Sequence, residues 1–407
     1  MKYTKEEIIQ YIEEEDVKFI RLAFTDIFGK QKNISIMPYE IRRAFKTGIA
    51  FDASAVTGFS SIEQSDYFLH PDPETLVVLP WRPEHGRVVR MYCSITDIDG
   101  NPSPFDTRHI LAKAIEDAKR LGYTFHFGSE LEFYLFHLDE QGQRTMIPYD
   151  NAGYMDIAPD DKGENVRREV CLTLERMGII PESSHHEEGP GQNEIDFRYS
   201  DALTAADQAI TFQTVVKTIA NRNGLFADFS PKPIPTEAGN GFHINISMEK
   251  DGKRMSEKMM NNMIAGILNY VPDITLFFNP SENSYLRLGN HKAPRYISWS
   301  RANRSQFIRV PAAPVEHTRL ELRSPDATAN PYIAFALIIY AALHGLTNKL
   351  EAPAPIECNL FNADSEEMQN VRKIPESLSD AVNRAAKSSF VAEHLPKNII
   401  ELYTELR

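Results

Sequence analysis

The sequence predicts an α+β protein with two domains, and three observations carry this prediction. Four separate stretches alternate apolar with polar residues, which is the two-residue period of a β-strand. Segments with helical spacing of apolar residues, preceded by helix-capping residues, lie between and around these stretches. The segment Asp99-Gly-Asn-Pro-Ser-Pro104 interrupts both patterns with turn-forming residues and is typical of a linker. We therefore expect a small domain over residues 1–102 and a larger one over residues 103–407.

The first domain is predicted to be a small α+β module. Thr4 and Glu7 form a capping box ahead of apolar residues at helical spacing, so a short helix begins there. Alternating or β-branched segments bounded by turn residues predict strands over residues 17–25, 32–37, 76–81 and 88–96. Residues 51–66 are predicted to form a loop, which is too long to be a passive connector.

The second domain alternates helices with strands. Capping residues at one end and glycine or proline near the other predict helices over residues 106–122, 164–177, 204–224, 256–270 and 330–349. The long third helix is predicted to be capped by Thr204 and Asp207. The remainder of the chain, through Arg407, is predicted to be helical and to lie on the surface.

The four alternating stretches share one design, with an apolar face and a polar face. Residues 127–136 place Glu130 and Glu132 on the same face, roughly 7 Å apart. The polar faces of the other three stretches carry Glu194, Asp196 and Arg198; His243, Asn245 and Ser247; and Arg319, Glu321 and Arg323. Their apolar faces carry Ile195, Phe197 and Tyr199; Phe242, Ile244, Ile246 and Met248; and Leu320 and Leu322. A lone Glu-x-Glu pair usually lies on the solvent-exposed face of a strand. Four such polar faces in one sheet, however, form a charged concave surface.

This polar surface has a definite chemical meaning. Carboxylates that face one another repel, and their pKa values rise unless cations neutralise them. Oxygen-rich ligand sets with one imidazole suit hard divalent cations such as Mg²⁺ or Mn²⁺. The interleaved arginines suit phosphate and carboxylate groups. The sequence therefore predicts a metal site that also binds anions.

Composition limits the class of protein. The chain has 407 residues and a formal net charge of −13, without a basic run, which argues against a nucleic-acid partner. Three distant cysteines, at positions 93, 171 and 358, lack metal-ligand spacing and are typical of reduced cytosolic thiols. The first residues read as a helix rather than a signal peptide, and the apolar run over residues 333–343 is too short to span a bilayer. We expect a cytoplasmic protein with no membrane partner.

Ten motifs then point to one family. They are FDASAVTGF, GSELEF, AGYMDIAPDDKGENVRRE, SHHEEGPGQNEIDF, KPIPTEAGNGFHINIS, NSYLRL, RANRSQFIRVP, TRLELRSPD, NPYIAFA and NKLEAPAPI. Because these motifs occur in this order, the chain resembles a type I glutamine synthetase over nearly its whole length. The resemblance implies an N-terminal β-grasp-like domain and a larger catalytic domain with a curved antiparallel sheet flanked by helices. It also implies ring-shaped homo-oligomers with active sites between subunits.

The resemblance also implies an activity and site residues. The family joins ammonia to L-glutamate through a γ-glutamyl phosphate, using ATP and two or more Mg²⁺ or Mn²⁺ ions. The implied metal ligands are Glu130, His243 and Glu321 for one ion, and Glu132, Glu187 and Glu194 for the other. The implied glutamate-binding residues are Gly239, Arg287 and Arg323. The implied nucleotide and phosphate residues are Glu182, Asn245, Ser247, Arg304, Arg309 and Arg319. Tyr154 and Asp52 match ammonium-site residues, with Asp52 supplied by the adjacent subunit.

The amine end departs from the family pattern. The flap that covers the glutamate pocket, residues 287–294, carries Lys292 where the family has a glutamate that accepts a proton from ammonium. His291 is a candidate replacement base, since its unperturbed pKa lies near neutrality. Ala55 and Ala238 are further changes near the amine and the glutamate. An alternative is that the Lys292 side chain points to solvent. A carboxylate from elsewhere in the protein would then accept the proton.

Three functions are therefore open at the level of sequence. The first is a glutamine synthetase with a changed base, and the second is a γ-glutamyl ligase for a polyamine or alkylamine. The third is a non-catalytic regulator that holds nucleotide or glutamate, although the full set of metal ligands argues against it. Residues 358–361 lack the tyrosine that is adenylylated in some relatives, so that control is expected to be absent. The chain ends at Arg407, before the family's ring-clasping tail, so we expect hexamers or weakly held dodecamers.

Overall fold

Two β-sheets organise the computed structural model, which describes residues 3–82, 85–314, 317–362 and 371–405. The first sheet has the strand order β2-β1-β6-β4-β3, with β5 paired to β6. Strands β1 and β6 are parallel, and the other pairs are antiparallel. The elements of this part are α1 (Lys5–Glu14), β1 (Val17–Thr25), β2 (Gln31–Ile36), α2 (Ile41–Thr47), β3 (Ile49–Asp52), β4 (Asp66–Pro71), β5 (Val77–Val78) and β6 (Arg87–Thr96).

The second sheet has ten strands, in the order β14-β15-β16-β12-β7-β10-β9, with β8 and β11 on β7 and β13 on β12. Its first elements are α3 (Thr107–Arg120), β7 (Tyr123–Leu138), β8 (Arg144–Pro148), α4 (Glu164–Arg176), β9 (Pro181–His186), β10 (Gln192–Asp201), α5 (Ala202–Arg222), β11 (Leu225–Asp228), β12 (Phe242–Lys250) and β13 (Lys253–Arg254). The rest are α6 (Glu257–Phe278), α7 (Glu282–Arg287), β14 (Trp299–Arg301), β15 (Ile308–Val310), β16 (Leu320–Leu322), α8 (Pro331–Thr347), α9 (Leu378–Ala385), α10 (Ser389–His394) and α11 (Lys397–Thr404).

The predicted α+β fold class is confirmed. The first sheet along the chain is mixed, and the second is almost entirely antiparallel and is covered by helices. In the second sheet β14 and β15 are parallel, and the other pairs are antiparallel. Stacked rings such as Phe127 and Phe335, whose centroids are 4.2 Å apart, join the sheet to α8. The division into residues 1–102 and 103–407 stays a prediction. None of the helices in the described ranges is long and apolar enough to cross a membrane.

The first sheet corrects two predictions. The strand expected over residues 76–81 shrinks to β5, two residues that pair with β6. The loop expected over residues 51–66 contains short 3-10 turns, and β4 begins at its end. The burial pattern of β4 does not alternate regularly. Its pairing with strands on both sides, rather than its own residue pattern, therefore makes it a strand.

Three predictions about the helices are also wrong in part. The cap of α5 is Asp201, whose side chain accepts from the Thr204 amide, so Thr204 and Asp207 are not caps. Helix α6 continues to Phe278, past Pro272, rather than ending near residue 270. The remainder of the chain is not helical throughout, because residues 350–362 and 371–377 lie outside helices. Its last helices are not superficial, because Tyr403 on α11 is completely buried. Residues 363–370 and Arg407, which the same prediction covered, lie outside the described residues. Apolar burial thus extends helices and packs them beyond what local signals predict.

A buried polar cluster joins the two sheets. The Arg108 guanidinium donates two hydrogen bonds of 2.9–3.0 Å to Asp207 on α5, and it also pairs with Asp72 of the first part at 2.9 Å. The Tyr332 hydroxyl donates to Asp207 at 2.6 Å, and the Tyr92 hydroxyl donates to its carbonyl at 3.1 Å. Asp207 therefore connects β6, α3, α5 and α8.

Asp207→Ala is expected to destabilise the protein by about 3–5 kcal/mol, because it strips a buried ion pair of one partner. Among the described residues, Arg108 would keep Asp72 as its ion-pair partner. Urea unfolding at neutral pH measures the change, with Glu140→Ala at an exposed turn as the control. A loss below about 1 kcal/mol would show that the cluster is not a structural joint.

Candidate active site

The register of the second sheet places like charges opposite one another. Glu132 on β7 lies opposite Glu194 on β10, and Glu130 lies opposite Asp196. On the other side of β7, Glu130 lies opposite His243 of β12. Directly opposed like charges destabilise a sheet. The arrangement therefore needs cations to be stable with its carboxylates ionised.

A cavity of about 1080 Å³ lies over this polar face. The predicted residues that line it are Glu130, Glu132, Tyr154, Glu187, Glu194, Gly239, His243, Arg287, His291, Lys292, Arg304, Arg309, Arg319 and Arg323. Glu321 lies next to this group and is almost completely buried. Asp52 is not among the lining residues. It is exposed at the end of β3, where its carboxylate accepts hydrogen bonds from Ser54.

One cluster of ligand atoms is formed by Glu130, His243 and Glu321, whose atoms all lie within 4.8 Å of one another. Asn245 donates to Glu130 at 2.7 Å, and the His243 Nδ1 atom lies 3.3 Å from the same carboxylate. Burial by itself would raise the pKa of Glu130. Hydrogen bonds with His243 and Asn245 outweigh burial and lower the pKa to about 2. This carboxylate is thus held ionised.

The second predicted trio is grouped differently from the prediction. Glu194 shares one cluster with Glu132 and His243, and another with His185 and Glu187. The His185 ring nitrogen Nε2 lies 3.0 Å from the Glu187 carboxylate, so His185 is a member that the sequence did not single out. Burial, followed by repulsion from Asp196 and Glu132, raises the pKa of Glu194 well above its usual value. Carboxylates with one or two imidazoles and such repulsion fit a hard divalent cation.

Two glycines allow the backbone to pack closely against the site. The amide of Gly241 donates to Glu132 at 2.7 Å. A Cβ atom at Gly241 would lie 2.7 Å from the His243 ring and 2.9 Å from the Arg287 guanidinium. At Gly239 a Cβ atom would collide with the Pro231 carbonyl. Gly239 therefore requires glycine so that the backbone can approach the site, whereas a side chain at Gly241 would displace the His243 ring and the Arg287 guanidinium.

At one end of the cavity lie two buried arginines. Arg287 is 3% exposed and donates to the carbonyls of Ser324 at 2.8 Å and of Pro325 at 3.3 Å. Burial lowers the pKa of Arg287. It has no ion-pair partner among the described residues, whereas Arg323 pairs with the buried Glu321. An anion entering this end would therefore meet a guanidinium whose charge is not neutralised.

A second cavity, of about 550 Å³, adjoins the first at Glu130. Three residues predicted to bind nucleotide, Glu182, Asn245 and Ser247, line it together with apolar side chains. Arg319 lines both cavities and donates to Asn245 at 2.8 Å. This cavity has the mixed lining of a small-molecule pocket.

Tyr199 was predicted to lie on the apolar face of β10, and that prediction is wrong. The register of β10 against β7 shifts between Phe197 and Ser200. Tyr199 is 59% exposed and lines the second cavity, where its ring lies 6.0 Å from that of His126. A β-bulge reverses the alternation of faces, and no local signal in the sequence announces it.

The flap lies over the first cavity. Lys292 does not point away from the site, because its ammonium group pairs with Glu188 and lies 5.5 Å from the centroid of the Tyr154 ring. His291 also lines the cavity. Glu188 follows the predicted ligand Glu187 in the chain and was not singled out by sequence.

A sheet face with clustered carboxylates for cations, arginines for anions and an adjoining pocket defines a metal-dependent enzyme that acts on anionic substrates. The family model "Glutamine synthetase, beta-Grasp domain" matches residues 16–98, and "Glutamine synthetase, catalytic domain" matches residues 104–407. The chain belongs to the glutamine synthetase family and is a ligase.

Similar proteins agree with this assignment. The chain is 45% identical to a glutamine synthetase of Clostridium saccharobutylicum, with 99% of this chain and 94% of that protein covered. It is 42% identical to one of Methanosarcina mazei, with coverages of 98% and 92%. A solved GmaS/ADP complex superposes with a TM-score of 0.88 at 27% identity, covering 98% and 94%. Plasmodium falciparum glutamine synthetase, at 24% identity and TM-score 0.87, covers 100% and 96% and shares the fold.

Proposed function

We propose that this protein forms glutamine from L-glutamate and ammonia at the expense of ATP. The observation that carries the proposal is the pair of cavities that meet at Glu130. One ends at the buried Arg287, which has no ion-pair partner in the described part of the chain, and the other is suited to a nucleotide. Relatives named glutamine synthetase, at 41–45% identity, support ammonia as the amine.

In this proposal Arg287 and Arg323 hold the α-carboxylate of glutamate, and the Gly239 backbone meets its amino group. Arg304, Arg309 and Arg319 face the phosphates, while Glu182, Asn245 and Ser247 hold the rest of the nucleotide. An oxygen of the γ-carboxylate attacks the terminal phosphorus of ATP, and ADP leaves. Ammonium gives one proton to a base, for which His291 is the candidate, and the neutral amine attacks the acyl carbon. The bridging oxygen leaves with phosphate, which takes up the second proton that nitrogen loses.

Divalent cations, Mg²⁺ or Mn²⁺, are proposed at the two carboxylate clusters. The holding residues would be Glu130, His243 and Glu321 for one, and Glu132, Glu187 and Glu194 for the other, with His185 beside the second. Bound there, they would neutralise phosphate and carboxylate oxygens that otherwise repel each other. The chain's own contribution is to hold these carboxylates close together in a fixed orientation, with Glu130 kept ionised by its hydrogen bonds.

A second candidate is a γ-glutamyl ligase that uses another small amine. The observation in its favour is Lys292 on the flap, together with the close superposition on GmaS. Asp52 and Tyr154 are proposed to bind the amine, and His291 is a candidate base. A non-catalytic regulator is disfavoured because the ligand clusters and arginines are intact.

An amine panel tests the proposal. ATP- and glutamate-dependent phosphate release is measured with ammonia, methylamine, ethanolamine and putrescine, and the amide product is identified by mass spectrometry. The proposal expects ammonia to give the highest kcat/KM and glutamine as product. A clear preference for another amine would favour the second candidate, and no response to any amine would overturn both.

Ring assembly follows from the proposed role of Asp52, which lies outside the cavity of its own chain. We propose hexameric rings, alone or paired as dodecamers, in which a neighbour supplies Asp52. Each of the variants Asp52→Asn and Glu132→Gln is expected to be inactive. When the two are unfolded and refolded together in equal amounts, about one site in four has both natural residues, since each site combines two chains. Activity near that fraction supports a shared site, and none at all contradicts it.

A further inference from the structure

We propose that Glu188 is a positioning residue for the amine end of the site. Its ion pair with Lys292 holds the flap, residues 287–294, over the cavity and neutralises the positive charge of Lys292 at the flap tip. The inference rests on the proposed function, in which this cavity takes an amine, and it explains how a cationic amine is admitted beside a lysine.

The contacts connect the two sides of the cavity mouth. Lys292 is at the tip of the flap, and Glu188 lies in the turn between β9 and β10. The Lys292 ammonium also lies over the Tyr154 ring, at 5.5 Å from its centroid. Tyr154 in turn meets the His185 ring edge-on at 5.4 Å. The flap tip is therefore attached to the wall that carries Glu187.

The tip of the flap has an unusual backbone conformation. Both ends are buried, with Leu288 at 2% and Ala293 at 4% exposure, whereas the tip is exposed. His291 and Lys292 have φ values of 43° and 63°, two successive side-chain residues in the left-handed region. That conformation persists only where surrounding contacts favour it. Within the flap, the Ala293 amide donates to the Asn290 carbonyl at 2.9 Å and closes the turn. The ion pair adds a contact between the tip and the opposite wall of the cavity.

The same pair sets the charge that an amine encounters. A lysine alone at the flap tip would repel an ammonium ion that approaches Tyr154. With Glu188 bound to it, the pair has no net charge, and the cationic amine meets a dipole instead. Glu188 thus performs no proton transfer in this account and acts through Lys292.

Hydrogen exchange of the flap amides tests the attachment without turnover. In the protein with MgATP but no glutamate, Glu188→Gln and Lys292→Gln are each expected to speed exchange of the peptide spanning residues 286–295 by about two- to fivefold, the range of a partly exposed ion pair. The double variant is expected to be no faster than either one. The charge exchange Glu188→Lys with Lys292→Glu is expected to restore slow exchange. Lys397→Gln, in an exposed ion pair with Glu401 on α11, is the matched control.

Steady-state kinetics tests the charge. Glu188→Gln is expected to raise the KM for ammonia at least threefold while the KM values for ATP and glutamate change less than twofold, and the exchanged pair is expected to reverse this rise. Additive effects of the two single changes on exchange, or an unchanged KM for ammonia, would overturn the inference. If the parent forms no amide with any amine, the proposed function fails. The exchange experiment still decides whether the pair holds the flap.

Discussion

The substitution Glu132→Gln is expected to lower ATP- and glutamate-dependent phosphate release by about 10³-fold or more, because several kcal/mol of charge neutralisation depend on a bound cation. Glutamine has the same shape and keeps an oxygen that accepts from the Gly241 amide, a bond of 2.7 Å in the parent. The fold is thus expected to persist while one ligand charge disappears. Glu132 lies opposite Glu194 in the sheet, and the repulsion between the two carboxylates favours the binding of a cation. A neutral glutamine at position 132 removes that repulsion.

Manganese titration followed by electron paramagnetic resonance measures the binding defect beside the kinetic one. Glu175→Gln, on the exposed surface of α4, is the matched control and is expected to behave as the parent does. A Glu132→Gln protein that binds Mn²⁺ with parental affinity and retains its rate would remove Glu132 from the proposed metal site.

Arg287→Lys is expected to weaken glutamate binding about 100-fold and ATP binding less than twofold. Lysine keeps the positive charge but loses the planar fork that pairs with a carboxylate. It also loses the donors that reach the carbonyls of Ser324 and Pro325. Arg287 is a cleaner choice than Arg323, whose pairing with Glu321 would couple glutamate binding to the metal clusters.

Calorimetric titration with L-glutamate and, separately, with a non-hydrolysable ATP analogue in the presence of Mg²⁺ measures both affinities. Arg301→Lys, a change at an exposed ion pair with Glu257, is the control. An equal loss of affinity for both ligands would mean that Arg287 supports the fold of the site rather than the substrate carboxylate.

Much of the site is readable in the sequence because strand alternation is a local property. The polar faces of β7, β12 and β16 follow the two-residue period, and their registers bring Glu130, His243 and Glu321 together. The resemblance to the family then predicted that Arg287, at the end of α7, and Glu187, just after β9, belong to the site. Short motifs with strict spacing therefore predicted most of the charged side chains that line the first cavity.

What the sequence did not predict depends on contacts between distant segments. Strand β4 is defined by its pairing, and α6 runs through Pro272 because buried neighbours favour the longer helix. The bulge that turns Tyr199 toward the second cavity has no local signature. Glu188 was overlooked because its partner, Lys292, lies 104 positions away in the chain. The alternation of polar and apolar residues along a strand cannot predict an ion pair between segments so far apart in the chain.

The central claim is that phosphate passes from ATP to the γ-carboxylate of glutamate before the amine attacks. The most direct measurement uses glutamate whose γ-carboxylate carries ¹⁸O, with ATP, Mg²⁺ and ammonia, and determines the mass of the phosphate released. The account predicts one ¹⁸O atom in each phosphate, since the bridging oxygen leaves with phosphorus. Phosphate without the label, released at the same rate, would mean that water attacks ATP and would contradict the proposed reaction.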